Sequence, residues 1–320
     1  MTHPKRIIVI GSINMDLVCR TPRIPRAGET ILGDDLITIP GGKGANQAVA
    51  AARLAGPGVE VHFVGRVGED DFGQRLLHGL THNGVHAERV TVTEDVSSGC
   101  AMIIVNKKGE NSIVVAPGAN AKLSPADIDR AYSLIAGASA VVMQLEVPLE
   151  TIRHAIGLCQ SHGVFTILDP APVPPRGFAR ELLAVDVLTP NQGEAEMLVG
   201  HRRTLHVSKK RLSDPKVIGI ELVSRGPRNV VLKMGARGAM VIGRDDDFER
   251  IKAHKVSVVD TTAAGDAFTA ALAVGHAEGM SLGESVRFAN AAGAACCMTF
   301  GAQPSLPTRR AVIKLLRQSD

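Results

Sequence analysis

Six short runs rich in Val and Ile limit what this chain can fold into more than any other feature. They are "RIIVIG" from Arg6, "VHFVGRVG" from Val61, "AVVMQLE" from Ala140, "VFTILDPAP" from Val164, "VDVLTPN" from Val185 and "NVVLKMG" from Asn229. Continuous apolar runs of this length are strands buried on both faces. Most are followed by a stretch of helical spacing, such as "FGQRLLHGLTHNG" or "LETIRHAIGLCQSHG". Strand and helix in alternation predict right-handed crossovers and a mostly parallel sheet covered by helices on both faces. In such α/β sheets ligands bind outside the carboxyl ends of the strands. Chemistry is therefore expected in the loops "GSINMD", "QLEVP", "DPAP", "TPNQGE" and "KMGARG".

Two stretches, "GETILGDDLITIPGG" and "SSGCAMIIVNKKGENSIVVAPGAN", alternate apolar and polar residues instead. Alternation means one wet face, so they predict a small separate sheet over the mouth of the main body, the second as a hairpin turning at Lys107 to Glu110. Without linker, repeat or low-complexity tract, residues 1–320 read as one domain, with lid strands inserted at about 14–40 and 97–117.

Composition removes several classes of function. The net charge of +4, from 36 Lys and Arg against 32 Asp and Glu, is spread along the chain, aromatics are 3% and Trp is absent. Nucleic-acid binding is not expected. The densest basic run, "HRRTLHVSKKRL" from His201, reads as a solvated insertion or exposed helix start. No run approaches the roughly 18 apolar residues of a membrane helix, so a soluble protein is expected. Five cysteines without a C-x-x-C pair suggest reduced, mostly buried thiols and a cytoplasmic location.

Two entries into alanine-rich helices carry the strongest local signals. "VVDTTAAGDAFTAAL" sets Ala263, Ala264 and Gly265 before Asp266. Small residues let a ligand approach a helix start, whose unpaired N–H groups and partial positive charge seat an anion. A carboxylate beside that seat suits a base that deprotonates a group attacking a phosphoryl. Asp is also a favoured N-cap, which is the competing explanation. "PGGKGANQAVAAARLAG", Pro40 to Gly56, is not a phosphate-binding Walker loop, and it places Lys43 and Asn46 at the mouth of an apolar helix, while the N-terminal "VIGSINMD" does not fit the dinucleotide fingerprint. "TPNQGE" spaces Asn191 and Glu194 three apart, as a capping box would, though Glu194 could also orient Mg²⁺ through its water shell. Asn14 and Asp16 could equally form a polar turn, and Glu146 a strand-end carboxylate; all fall at expected strand ends.

These motifs together resemble the ribokinase-like (PfkB) family of carbohydrate kinases over nearly the whole chain. "GGKGANQAVAAARL" is similar to its N-terminal signature, "DTTAAGDAFTAAL" to its C-terminal one and "NQGE" to its N-x-x-E motif. The resemblance implies that Asp266 is the general base and that the amides of Ala264, Gly265 and Asp266 form an anion hole. Asn14, Asp16, Gly42, Lys43, Asn46 and Glu146, with Asp266, would hold sugar hydroxyls. Asn191, Glu194, Lys233, Gly235, Arg237, Gly238, Gly265 and Asn290 would serve ATP, with Glu194 also holding Mg²⁺ through water. Asp260, Thr262, Cys296, Thr299, Gly301 and Ser305 would bind a monovalent cation such as K⁺, mostly through carbonyls. The implied reaction is ATP-dependent phosphorylation of D-ribose at its 5-hydroxyl, with dimerisation through the lid. The alternatives are another sugar or nucleoside (deoxyribose, fructose, adenosine), or a catalytically silent sugar-binding regulator. Many members carry Gly where this chain has Ala263, and the segment after Glu194 matches no family pattern.

Overall fold

The computed structural model describes residues 5–175, 179–200, 214–244 and 247–318. The basic run from His201 lies outside them.

The chain enters through β1 (Lys5–Ile10), β2 (Asn14–Thr21) and β3 (Leu36–Gly41), then runs through α1 (Lys43–Leu54), β4 (Val59–Gly68), α2 (Asp71–His82) and β5 (His86–Thr93). A hairpin of β6 (Gly99–Asn106) and β7 (Asn111–Ala116) precedes the short α3 (Pro125–Arg130) and α4 (Tyr132–Ala136). Next come β8 (Ala140–Met143), α5 (Leu149–Ser161), β9 (Phe165–Leu168), β10 (Val187–Leu188), α6 (Gln192–Gly200), α7 (Pro215–Ser224) and β11 (Asn229–Lys233). The strands β12 (Ala239–Gly243) and β13 (Phe248–Ile251) lead to α8 (Ala264–Glu278), α9 (Leu282–Cys296) and α10 (Arg309–Arg317).

Nine strands form one sheet in the order β13-β12-β11-β10-β9-β8-β1-β4-β5, and β3-β2-β6-β7 form a second, smaller sheet. From β11 to β5 every pairing is parallel, while β12 and β13 add an antiparallel edge. This is the expected mostly parallel α/β sheet. The continuous apolarity of β1 now has a cause. Ile7 and Val9 enter the core under α1, α2, α8, α9 and α10, whereas Ile8 and Ile10 enter a separate core under α3 to α7. Each such side chain taken from water contributes about 1.5–3 kcal/mol, so neither face of the strand tolerates polarity.

In the small sheet β2 pairs parallel with β6 and antiparallel with β3. The hairpin turns at residues 107–110, where Asn106 Oδ1 accepts the amides of Lys108 and Glu110 at 2.9 and 3.0 Å. The simple alternation expected of β7 fails: all six of its residues are exposed, with Ile113, Val114 and Val115 in succession. The thiols need a smaller correction. All five cysteines are free, but only Cys159 and Cys296 are buried, since Cys19, Cys100 and Cys297 lie near loops or on the small sheet.

The carboxyl ends of α1 and α8 are clamped together far from their starts. Arg309 places Nη1 on Leu54 O at 2.8 Å and on Glu278 Oε1 at 2.5 Å, with Nη2 on Glu278 Oε2 at 2.7 Å. Glu278 Oε1 also accepts the Gly56 amide at 2.8 Å.

Candidate functional site

The loops that leave β1 and β8 meet the starts of α1 and α8 at the mouth of the large sheet. Gly42 enters α1 with φ 87°, and a Cβ there would lie 2.8 Å from Asn14 N. A Cβ on Gly44 would sit 2.7 Å from the Ser12 backbone. The glycines of "GGKGAN" therefore allow α1 to start directly against the β1 loop. Ser12 Oγ donates to Glu146 Oε2 at 2.5 Å, and the same oxygen accepts the Lys43 amide at 3.1 Å. Loop, strand end and helix start are thus held by one carboxylate.

Asp266 is not an N-cap. Ala263 holds that position, in the left-handed region with φ 60°, and Asp266 is third in the helix. Its carboxylate turns away from its own backbone: Oδ2 accepts from Asn46 Nδ2 at 3.0 Å and Oδ1 from Gln47 Nε2 at 3.1 Å. The side chain is buried. Burial raises the pKa of this carboxyl, Lys43 opposes the shift, the Asp169 charge adds to it, and the Asn46 and Gln47 hydrogen bonds oppose it. A carboxylate held by two amides and disfavoured by burial takes up a proton readily. The first ladder bond of α8 runs from Ala267 N to Ala263 O, so the amides of Gly265 and Asp266 lie in the turn before it, while the Ala264 amide meets Thr261 O at 3.3 Å.

Around this carboxylate the structure gathers the expected polar residues. Asp16 lies against the α1 entrance, close enough that a Cβ on Gly41 would be 2.3 Å from its Oδ2. Burial, with the charges of Glu146 and Asp266, pushes the Asp16 carboxyl up to about 7. Asn14 is buried, its Oδ1 accepting from Asn120 Nδ2 at 2.7 Å. Burial acts to lower the pKa of Lys43, but the carboxylates of Asp266, Asp169, Glu146 and Glu194 outweigh it and hold it firmly protonated. Asn46 Oδ1 is a buried acceptor with no hydrogen bond among the described residues, which a ligand hydroxyl would satisfy.

Beyond the start of α8 opens a cleft of about 690 Å³ lined by Lys233, Gly235, Arg237, Gly238, Gly265 and Asn290 among others. Arg250, Lys252 and Lys255 make its rim basic, while Val256, Val258 and Phe268 give it an apolar wall. Such a mixture suits a polyphosphate joined to a flat ring. Asn290 Nδ2 donates to Lys252 O at 2.7 Å and fixes one wall. Asn191 and Glu194 form both bonds of a capping box at the start of α6, Glu194 N to Asn191 Oδ1 at 2.9 Å and Asn191 N to Glu194 Oε2 at 2.7 Å. A single carboxylate so placed fits Mg²⁺, which needs few protein oxygens because it keeps most of its waters.

The residues expected to hold a monovalent cation also converge. Asp260 Oδ1 accepts from Thr262 N and Oγ1 at 2.9 and 2.7 Å, and Oδ2 accepts from Gly301 N at 2.9 Å. Burial would raise its pKa, but these donors hold it below the usual carboxylate range. Cys296 Sγ lies 3.5 Å from Thr262 O and 3.0 Å from Ser305 Oγ, and Thr299 N donates to Cys296 O at 3.3 Å. Both Asp260 oxygens accept from these donors, so a hard cation here would rest mostly on carbonyls of the surrounding backbone.

Several residues that build this site are not evident as such in the sequence. Gln47 Nε2 donates to Asp169 Oδ2 at 3.0 Å as well as to Asp266, and Gln47 Oε1 accepts from Gln144 Nε2 at 2.6 Å. Asp169 Oδ1 in turn holds Lys233 Nζ at 3.0 Å, and that ammonium lies 3.5 Å from where a Cβ on Gly265 would be. A chain of polar groups therefore joins Asp266 to the Lys233 ammonium beside the start of α8.

Comparison with known proteins places this geometry. The family model "pfkB family carbohydrate kinase" matches residues 4–309. The chain is 39% identical over 313 residues to the ribokinase of Bacillus subtilis (strain 168), covering 98% of this chain and 99% of that protein. It is 38% identical over 267 residues to the deoxyribokinase of Salmonella typhi, covering 82% of each. Among solved structures it matches Arabidopsis thaliana ribokinase complexed with ribose and ATP, with a TM-score of 0.86, 33% identity and 99% of both chains covered.

Proposed function

The chain belongs to the pfkB family of carbohydrate kinases, and from that premise we propose that it transfers the terminal phosphoryl group of ATP to the 5-hydroxyl of D-ribose. The observation that carries the proposal is the buried Asp266 carboxylate, oriented by Asn46 and Gln47 beside the first-turn amides of α8.

Asp266 takes the proton of the 5-hydroxyl as that oxygen attacks the terminal phosphorus. The bond from phosphorus to the bridging oxygen breaks, and ADP leaves with its electrons. Charge on the transferring group meets the amides of Gly265 and Asp266 and the Lys233 ammonium that Asp169 positions. Asn14, Asp16, Lys43, Asn46 and Glu146 hold the sugar, and the unpartnered Asn46 Oδ1 accepts from one of its hydroxyls. Asn191, Glu194, Gly235, Arg237, Gly238 and Asn290 border the nucleotide. Glu194 would hold Mg²⁺ through water, and that ion would screen the phosphate charges. Asp260, Thr262, Cys296, Thr299, Gly301 and Ser305 would hold K⁺ and so fix the loop beside α8.

The exposed Ile113, Val114 and Val115 support pairing of two copies through the small sheet. The free thiols fit the reducing cytoplasm, and no helix among the described residues is long and apolar enough to cross a membrane.

Coupled release of ADP across ribose, deoxyribose, fructose and adenosine tests the proposal. Ribose is expected to give a kcat/KM at least about tenfold above the others. Faster turnover of deoxyribose, or no turnover of any sugar, would overturn it.

A further inference from the structure

We propose that β4 and β5 carry a binding site for one divalent transition-metal ion of the zinc class, with His62, His86 and Glu88 as its ligands. The site sits in the first half of β4 and at the start of β5, whereas the catalytic groups follow the carboxyl ends of the strands.

His62 and His86 are direct partners in the parallel pairing of β4 with β5, and their rings stack with centroids 4.4 Å apart. The next pair in register is Val64 with Arg89, so three steps along β5 match two along β4. Glu88 lies in that bulge, where a strand commonly re-aims a side chain, and its Oε1 is 3.5 Å from His86 Nδ1. One donor atom from each of His62, His86 and Glu88 falls within 4.8 Å of the others. Independently of that convergence, His62 Nε2 is buried and forms no well-aligned hydrogen bond among the described residues, its one contact being Glu60 Oε2 at 3.5 Å. A buried imidazole nitrogen so weakly satisfied costs free energy that a metal bond would recover.

The donor set selects the ion. Two imidazoles and a carboxylate suit Zn²⁺, Co²⁺, Ni²⁺ or Cu²⁺, whereas Mg²⁺ and Ca²⁺ prefer oxygen throughout. Bonds of about 2.0–2.2 Å in a tetrahedron put neighbouring donors roughly 3.3–3.6 Å apart, so the set must close by at most about 1.5 Å, and the His86 ring must turn out of its stack on His62 because imidazole lone pairs lie in the ring plane. His86 and Glu88 can make that movement, their side chains being 44% and 71% exposed, while His62 at 14% is the fixed anchor. Glu60 Oε2 lies 3.5 Å from His62 Nε2 but is also held by Arg6 Nε at 3.3 Å. It therefore acts as an outer carboxylate, and water completes the coordination. The ion would staple the edge strand β5 to its neighbour β4.

Zn²⁺ is titrated calorimetrically into the chelator-treated full chain, with excess Mg²⁺, at about pH 7.5 where imidazole is mainly neutral. His86→Ala and Glu88→Gln, both at exposed positions outside the catalytic site, are run beside it. One equivalent bound more tightly than about 100 µM is expected, with at least about a tenfold loss in either variant. The unfolding midpoint should rise by several degrees in the parent and by less than about 1 °C in His86→Ala. Absence of a stoichiometric site in that range, or equal affinity in parent and both variants, overturns the proposal; binding by other cysteines or histidines would give the latter result.

Discussion

Two helices start at the same site, and they enter it by opposite means. α1 begins at Gly42 with φ 87°, where a side chain would strike the backbone of Ile13 and Asn14. α8 begins at Ala263 with φ 60°, and a methyl group is carried there in spite of the left-handed backbone. The first start brings side chains to the mouth, Lys43, Asn46 and Gln47. The second brings backbone amides and a single carboxylate. Left-handed backbone is therefore a steric requirement at one start and a tolerated strain of about 1–2 kcal/mol at the other.

The largest test of this contrast concerns the carboxylate. Asp266→Asn keeps the shape and forfeits one acceptor, and general-base catalysis typically contributes about 10²–10⁴-fold. We expect kcat to fall at least about 10²-fold while the unfolding midpoint barely moves. A stable variant that retains more than about a tenth of the activity would remove Asp266 as base.

Gly42→Ala is expected to be next in size. It adds backbone strain of about 1–3 kcal/mol to a collision with the chain, so both stability and sugar binding should suffer. Denaturant unfolding with sugar present and absent would reveal it; an unchanged midpoint would put α1 in the same tolerant class as α8.

Asp16 tests the acidic surroundings of the α1 start through pH. Its carboxyl titrates near 7 when folded against 3.8 as an ordinary aspartate. The folded state therefore keeps a proton that the unfolded state has lost, and the resulting stability is full below about 3.8 and disappears as pH rises through about 7. Asp16→Asn should thus gain on the parent when midpoints at about pH 8 are compared with those at about pH 5. Parallel curves for the two proteins would mean that Asp16 is an ordinary acid.

The smallest effect should have the opposite sign. Ala263→Gly relieves the left-handed strain but loosens the unfolded chain, leaving a net gain of at most about 1 kcal/mol. Calorimetry would detect it, and a loss of stability would show that the alanine methyl contributes packing instead.

What could be read in the sequence divides along physical lines. The parallel strands announce themselves because both of their faces are buried, as β1 shows. The strands β5 and β13 lie at the two edges of the sheet and carry polar residues, so they escape a rule based on continuous apolarity. Asp266 stands out because a run of small residues leads directly to its carboxylate in the sequence. Gln47 does not, and the loop "DPAP" points to Asp169 without revealing its role, since the bonds that define the pair cross 219 and 122 residues. Glu88 and the histidines near it were likewise silent until the bulge brought them together.

The Arg309 clamp at the far ends of α1 and α8 gives the site a lever. α8 has 15 residues, so its start lies about 22 Å from Glu278. Over that arm, a tilt of about 3° displaces the tip by roughly 1 Å, an error that can cost about 10²-fold in rate. The angular precision of the reaction is thus set partly at the opposite end of the molecule, where Arg309 fixes the pivot of both helices at once.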